Sequence, residues 1–209
     1  MSGAQQALIG PNAIIQLVEA LRAQRGNQEA RRLLESVGQG AYFDAPPSQM
    51  VPQAEVAALH QQLFQSVDLL EFKRITADAG RRTGDYLLAH RIPKPVQWVL
   101  QCLPDTLAAT VLSHAIQKHA WTFAGTGAFA VLWRDRLEFT ITGNPITAGL
   151  HAEVPICDYY AATFERIFRV IVNDNWRVVE RTCEASGAAA CLFEFCTPHR
   201  RTQDYGLTS

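Results

Sequence analysis

The chain has 209 residues, 48% of them hydrophobic and 19% charged, with a formal net charge of −1. This length can bury a core without disulfide staples, while the apolar content excludes disorder and the balanced charge excludes a basic nucleic-acid-binding face. The N-terminal MSGAQQALIGPNAIIQLVEALR lacks a basic stretch followed by an apolar core, and no run approaches the roughly 18 apolar residues of a membrane span, so a cytoplasmic protein is expected.

Gly10-Pro11-Asn12 followed by AIIQLVEALRAQ predicts a helix, because proline suits a first helical turn and Ile14, Leu17, Val18 and Leu21 recur at helical spacing. Gly26 ends it. A second helix is expected over about 28–37, then a loop through AYFDAPPSQMVP, where Pro46, Pro47 and Pro52 deny continuous structure. The stretch from Gln53 is helical again. A shorter helix over 76–90 carries Gly80, Arg81, Arg82 and Gly84 before the prolines at 93 and 95. DTLAATVLSHAIQKHAW predicts one long helix capped by Asp105 or Thr106, with Leu107, Val111, Leu112, Ala115 and Ile116 as its buried stripe.

After Gly125 and Gly127 the composition turns aromatic and β-branched. AFAVLWRDRLEFTIT predicts a hairpin turning at Arg134-Asp135-Arg136. CDYYAATFERIFRVIV then places Cys157, Ala161, Phe164, Phe168 and Ile171 on one helical face, and NWRVVERTCEA with ACLFEFCT forms a second hairpin around Ser186-Gly187. The expected fold class is α+β: a helical region over 1–52, an α+β domain over 53–199 and a polar, frayed tail over 200–209.

Five cysteines, an odd number, argue for free or metal-bound thiols in a reducing compartment. The second hairpin sets Cys183 and Cys191 opposite each other beside its turn. Glu180, three positions before Cys183, would point to the other face of a regular strand, so a bulge is needed to converge them. Cys157 opens a helix, where peptide N–H groups and the helix dipole favour thiolate. Three thiolates and a carboxylate suit a closed tetrahedral zinc site, with Arg166, Arg181 or backbone amides to offset its charge. The same spacing also fits cysteines buried as small apolar residues beside a solvated acid, and spacing alone does not choose.

Glu180, Cys183, Gly187, Cys191 and Phe193, following a helix that begins Cys157-Asp158-Tyr159-Tyr160, form a pattern that resembles the 4-vinyl reductase domain. That domain is also the ligand sensor of phenol-responsive bacterial transcription activators, in which the matching cysteine, glutamate, cysteine and cysteine bind a structural zinc ion. Ile9-Gly10-Pro11-Asn12 and GRRTGDYLLAHRIPK at 80–94 are similar to the stand-alone bacteriochlorophyll 4-vinyl reductase proteins over essentially the whole chain. The resemblance implies antiparallel hairpins packed with helices, akin to haem nitric-oxide-binding and vesicle-tethering subunits. It also implies a homodimer and a role in bacteriochlorophyll synthesis.

Vinyl reduction needs a hydride source. Gly125-Thr126-Gly127 with Ala130 matches G-x-G-x-x-A, but it follows a helix and enters a strand, the reverse of a dinucleotide fingerprint. No P-loop or iron–sulfur cysteine cluster is present in the sequence. Trp98, Trp121, Phe123, Phe129, Trp133, Phe139, Tyr159, Tyr160, Phe164 and Phe168 offer either an apolar pocket for a tetrapyrrole or simply a core. His114 and His119 share a helix but diverge by about 140°, so at most one faces such a ligand. His90, beside Arg91 and Lys94, is a further ligand candidate, and those cations could meet propionates. The expected function is to bind a magnesium porphyrin or protochlorophyllide and present it to pathway enzymes. The alternatives are reduction of the tetrapyrrole vinyl group, and a non-catalytic sensor or assembly factor.

Overall fold

The computed structural model describes residues 7–196; the tail expected over 200–209 lies outside them. The strand β1 (Leu8–Ile9) leads into α1 (Asn12–Arg25), which buries Ile14, Leu17, Val18 and Leu21 as their spacing predicts. Gly26, at φ 86°, ends α1 and begins α2 (Asn27–Ser36). The stretch read as a loop contains one helical turn, α3 (Ala41–Asp44), and a short strand, β2 (Val51–Pro52), antiparallel to β1. Phe43 explains the ordering: the guanidinium carbons of Arg22 and Arg31 lie 3.9 and 4.1 Å from its ring centroid. The next helix, α4 (Gln53–Ser66), begins where expected.

The helix expected over 76–90 is longer. It runs as α5 (Leu69–His90), because Asp68 caps it by accepting from the Glu71 N–H at 2.9 Å. Its Gly80 and Gly84 lie one turn apart against α9 (Asp158–Ile171). A Cβ on Gly80 would stand 2.2 Å from the Tyr159 carbonyl oxygen, and one on Gly84 2.7 Å from the Arg166 Cβ. Absence of side chains lets the two helices meet at backbone distance, and Thr163 Oγ1 uses the approach to donate to the Gly80 carbonyl at 3.0 Å.

After α5 come α6 (Lys94–Gln101), α7 (Asp105–Lys118) and the single turn α8 (Trp121–Ala124). Neither Asp105 nor Thr106 caps α7: Pro104 holds the cap position, and Asp105 instead accepts from Asn173 Nδ2 at 3.1 Å. The expected stripe is corrected too. Ala108, Ala109, Leu112 and Ser113 are buried, whereas Leu107 and Val111 are 49% and 44% exposed. The helix has two apolar faces, and the smaller side chains pack inward because they allow closer approach.

The sheet is antiparallel in the order β3-β4-β6-β5, from β3 (Ala128–Trp133), β4 (Leu137–Thr142), β5 (Arg177–Thr182) and β6 (Cys191–Cys196). Both expected hairpins form. Strand alternation turns Phe139, Phe193 and Phe195 inward, where they meet Phe164 and Phe168 of α9 with ring centroids 4.5–5.9 Å apart. Sheet, α9, α5 and α1 thus stack in sequence, and one apolar core runs from Ile9 to Phe195. The mixture of helices with an antiparallel sheet is the α+β class expected.

Candidate metal centre

Four elements deliver the predicted ligand set. Cys157 sits at the N-cap of α9, Glu180 near the end of β5, Cys183 just beyond that strand, and Cys191 at the start of β6. The register slips between Glu180 and Thr182, so Glu180 faces Phe193 and Thr182 faces Leu192. This bulge supplies the extra residue that returns Cys183 to the inner face. A short 3-10 turn over Glu184–Ser186 and a left-handed Gly187, at φ 85°, then bring the chain back to Cys191.

One ligand atom from each of the four residues falls within 4.8 Å of all the others, and all three cysteines are buried. The Sγ atoms of Cys183 and Cys191 are 3.8 Å apart. A disulfide needs about 2.05 Å. A tetrahedron with metal–sulfur bonds of about 2.3 Å has an edge of about 3.8 Å. Glu180 Oε2 accepts from the Cys157 N–H at 2.6 Å, while the buried Oε1 has no hydrogen-bond partner. An orphaned carboxylate oxygen beside three inward thiols is the donor set of a cation site, and these residues fit a metal ion.

Electrostatics point the same way. Burial pushes Glu180 up to about 9, with the Cys183 charge adding to it. Burial also raises the Cys157 thiol, overriding the preference for thiolate expected at a helix start. Hydrogen bonds from Cys157 and Cys183 hold Cys191 at about 4. The cluster therefore keeps protons that a dication would displace.

Charge compensation does not come from the arginines named above. Arg166 binds Asp85, and Arg181 reaches Glu194 on the outer face of the sheet. The task falls to a residue whose role the sequence did not disclose: Asn144 Nδ2 donates to Cys157 Sγ at 2.9 Å and to Cys191 Sγ at 3.3 Å. Glu184 fixes that loop, its carboxylate accepting from the Gly143 and Asn144 N–H groups at 2.6 and 2.8 Å. The Glu184 N–H itself lies 3.4 Å from Cys191 Sγ. The visible signal was only Gly143-Asn144-Pro145, which reads as the start of a loop.

The residues expected to meet a tetrapyrrole do not converge on one interior chamber. Tyr160 and Phe164 are buried, their faces taken up by neighbouring rings, and Tyr160 Oη donates to the Phe123 carbonyl at 2.7 Å. Trp121 and Trp133 are 62% and 44% exposed. His114 and His119 are exposed on and just after α7, and His90 is exposed at the end of α5 with its ring 4.8 Å from that of Tyr86. The glycines of 125–127 form a turn into β3, as their context predicts: a Cβ on Gly127 would stand 2.4 Å from the Thr142 carbonyl oxygen. Among the described residues no helix is long and apolar enough to cross a membrane.

Comparison with known proteins agrees with this architecture. The vinyl-4-reductase domain matches residues 137–196, the segment that carries the metal-site cluster. The bacteriochlorophyll synthase 23 kDa chain of Cereibacter sphaeroides is 44% identical over 186 residues, 89% of each chain. Its namesake from Rhodobacter capsulatus is 39% identical over 200 residues, 92% of each. Among solved structures, one from work on haem distortion in the H-NOX family superposes with a TM-score of 0.53 at 13% identity, covering 88% of this chain and 93% of that one. An H-NOX protein from S. oneidensis gives 0.52 at 12%, covering 90% and 99%. The H-NOX likeness is one of fold. The chain belongs to the family of the bacteriochlorophyll synthase 23 kDa chain and carries a vinyl-4-reductase domain at its C-terminal end.

Proposed function

We propose that the protein acts in bacteriochlorophyll biosynthesis as a binding protein for a magnesium porphyrin or protochlorophyllide, which it presents to pathway enzymes. Family membership supports the pathway. The observation that carries the ligand class is the outward stripe of α7, where the exposed Leu107 and Val111 lead one helical turn at a time to His114. The His114 imidazole has no side-chain partner among the described residues. An imidazole nitrogen framed by apolar surface matches a flat macrocycle whose central magnesium takes one axial donor. The exposed Trp121 follows directly in α8 and offers a ring to stack on.

The metal centre serves this function as a frame. With three sulfurs and a carboxylate, the ion that suits it is zinc, and four protein ligands leave no position for substrate. Bound there, it ties the start of α9 to the terminal hairpin. Titration with magnesium protoporphyrin should red-shift and sharpen the Soret band, and His114→Ala should weaken binding at least about tenfold, the scale of one lost ligand contact. An unchanged spectrum at micromolar pigment would refute the binding function.

A further inference from the structure

The helix α6 is built inside out. Gln97 and Leu100 form its buried side, and the Gln97 amide is consumed by donating to the Leu88 and Ile92 carbonyls at 2.5 and 2.7 Å. The opposite side carries Pro95, Trp98, Val99 and Cys102 at i, i+3, i+4 and i+7, all exposed, with Trp98 at 70% and Val99 at 56%. A tryptophan turned to water beside a valine, while a glutamine faces the core, is the reverse of what folding alone selects.

The charge around this face is one-sided. Residues 91–104 contain Arg91 and Lys94 and no acid, in a chain whose formal net charge is −1. Both cations are exposed, and neither has an ion pair among the described residues. Unpaired cations at the start of a short helix whose outer face is Trp and Val match an anionic lipid surface: the indole settles at headgroup depth, the valine below it, and the cations stay with the phosphates. A protein interface would pair these cations with acids, whereas lipid headgroups supply that charge in the plane where the apolar face ends.

We propose that the outer face of α6 docks the protein on anionic membranes as a peripheral contact. The docking is independent of pigment binding, because α6 presents it without the α7 stripe. The test is sedimentation of the full chain with pigment-free vesicles, either phosphatidylglycerol mixed with phosphatidylcholine or phosphatidylcholine alone. Salt-sensitive binding to the anionic vesicles is expected, with a blue-shifted tryptophan emission that Trp98→Phe removes while binding persists. Trp98→Glu should lower partitioning by about tenfold or more, and the double variant Arg91→Gln, Lys94→Gln should do so by roughly tenfold on anionic vesicles only. Both sites are exposed, so the thermal unfolding midpoint of each variant should match that of the parent. Absence of vesicle binding, or binding that Trp98→Glu leaves intact, would overturn the proposal. So would a concentration-dependent dimer that Trp98→Glu dissociates without any lipid dependence, since that result assigns the face to a second copy.

Discussion

Asn144 stands between two sulfurs of the metal centre, its side-chain amide 2.9 Å from Cys157 Sγ and 3.3 Å from Cys191 Sγ. The amide can donate to both, and a donor to thiolate stabilises the charged form that a metal requires. Its own place is set from outside the cluster, because Glu184 holds the Asn144 backbone N–H at 2.8 Å.

Asn144→Ala should therefore weaken metal binding by about 10- to 100-fold, as loss of a partner behind metal ligands does elsewhere. Glu184→Gln, which lengthens the same chain of contacts by one link, should have a smaller effect in the same direction. Competition against a chromophoric chelator measures both. Parental affinity in Asn144→Ala would leave the amide a purely structural role.

Packing of α5 on α9 supplies a second expectation. A Cβ at Gly80 would meet the Tyr159 carbonyl oxygen at 2.2 Å, backbone that cannot rotate away. Gly80→Ala should cost about 1–3 kcal/mol in urea unfolding through overpacking. Because Tyr159 lies two residues beyond Cys157 in α9, the shift should also loosen the metal site.

His60 gives the fold a pH dependence. The side chain is fully buried on α4, neither ring nitrogen is hydrogen-bonded, and burial lowers its pKa from 6.5 to about 4; the nearby Ala13 backbone offsets only part of this. A depressed histidine pKa means that protons favour the unfolded chain. The stabilising contribution is complete above pH 6.5, declines as pH falls toward 4, and is gone below that value. Across this window the loss is worth about 3 kcal/mol. Comparing the parent with His60→Leu isolates the effect, since acid release of metal is common to both. Parallel stability curves from pH 7 to about 4 would contradict the assignment.

Much of this architecture was legible in the sequence, for reasons that particular residues make plain. The apolar spacing of α9 and the alternation of both hairpins are local signals, and they survive because packing reinforces them. The parity mismatch between Glu180 and Cys183 even located the bulge. Asn144 and Glu184 were hidden because their partnership spans 40 residues of chain. Neither belongs to a short motif. The outward turn of Leu107 and Val111 was misread because α7 is apolar on two sides, where periodicity cannot say which side is buried. The long start of α5 was missed because Asp68 and Glu71 signal a cap only when read three residues apart. The aromatic-rich stretches were divided by tertiary packing: Phe139, Phe164 and Phe168 fill the core while Trp98 and Trp121 face water.

The most direct test of the account is metal content against fold. Elemental analysis of the purified full chain should find about one zinc ion per chain, and chelation or Cys183→Ser should remove the ion and destabilise the fold strongly, because a structural zinc contributes its binding free energy to folding. Metal-free protein that keeps its full thermal stability, or a disulfide joining Cys183 to Cys191, would contradict it.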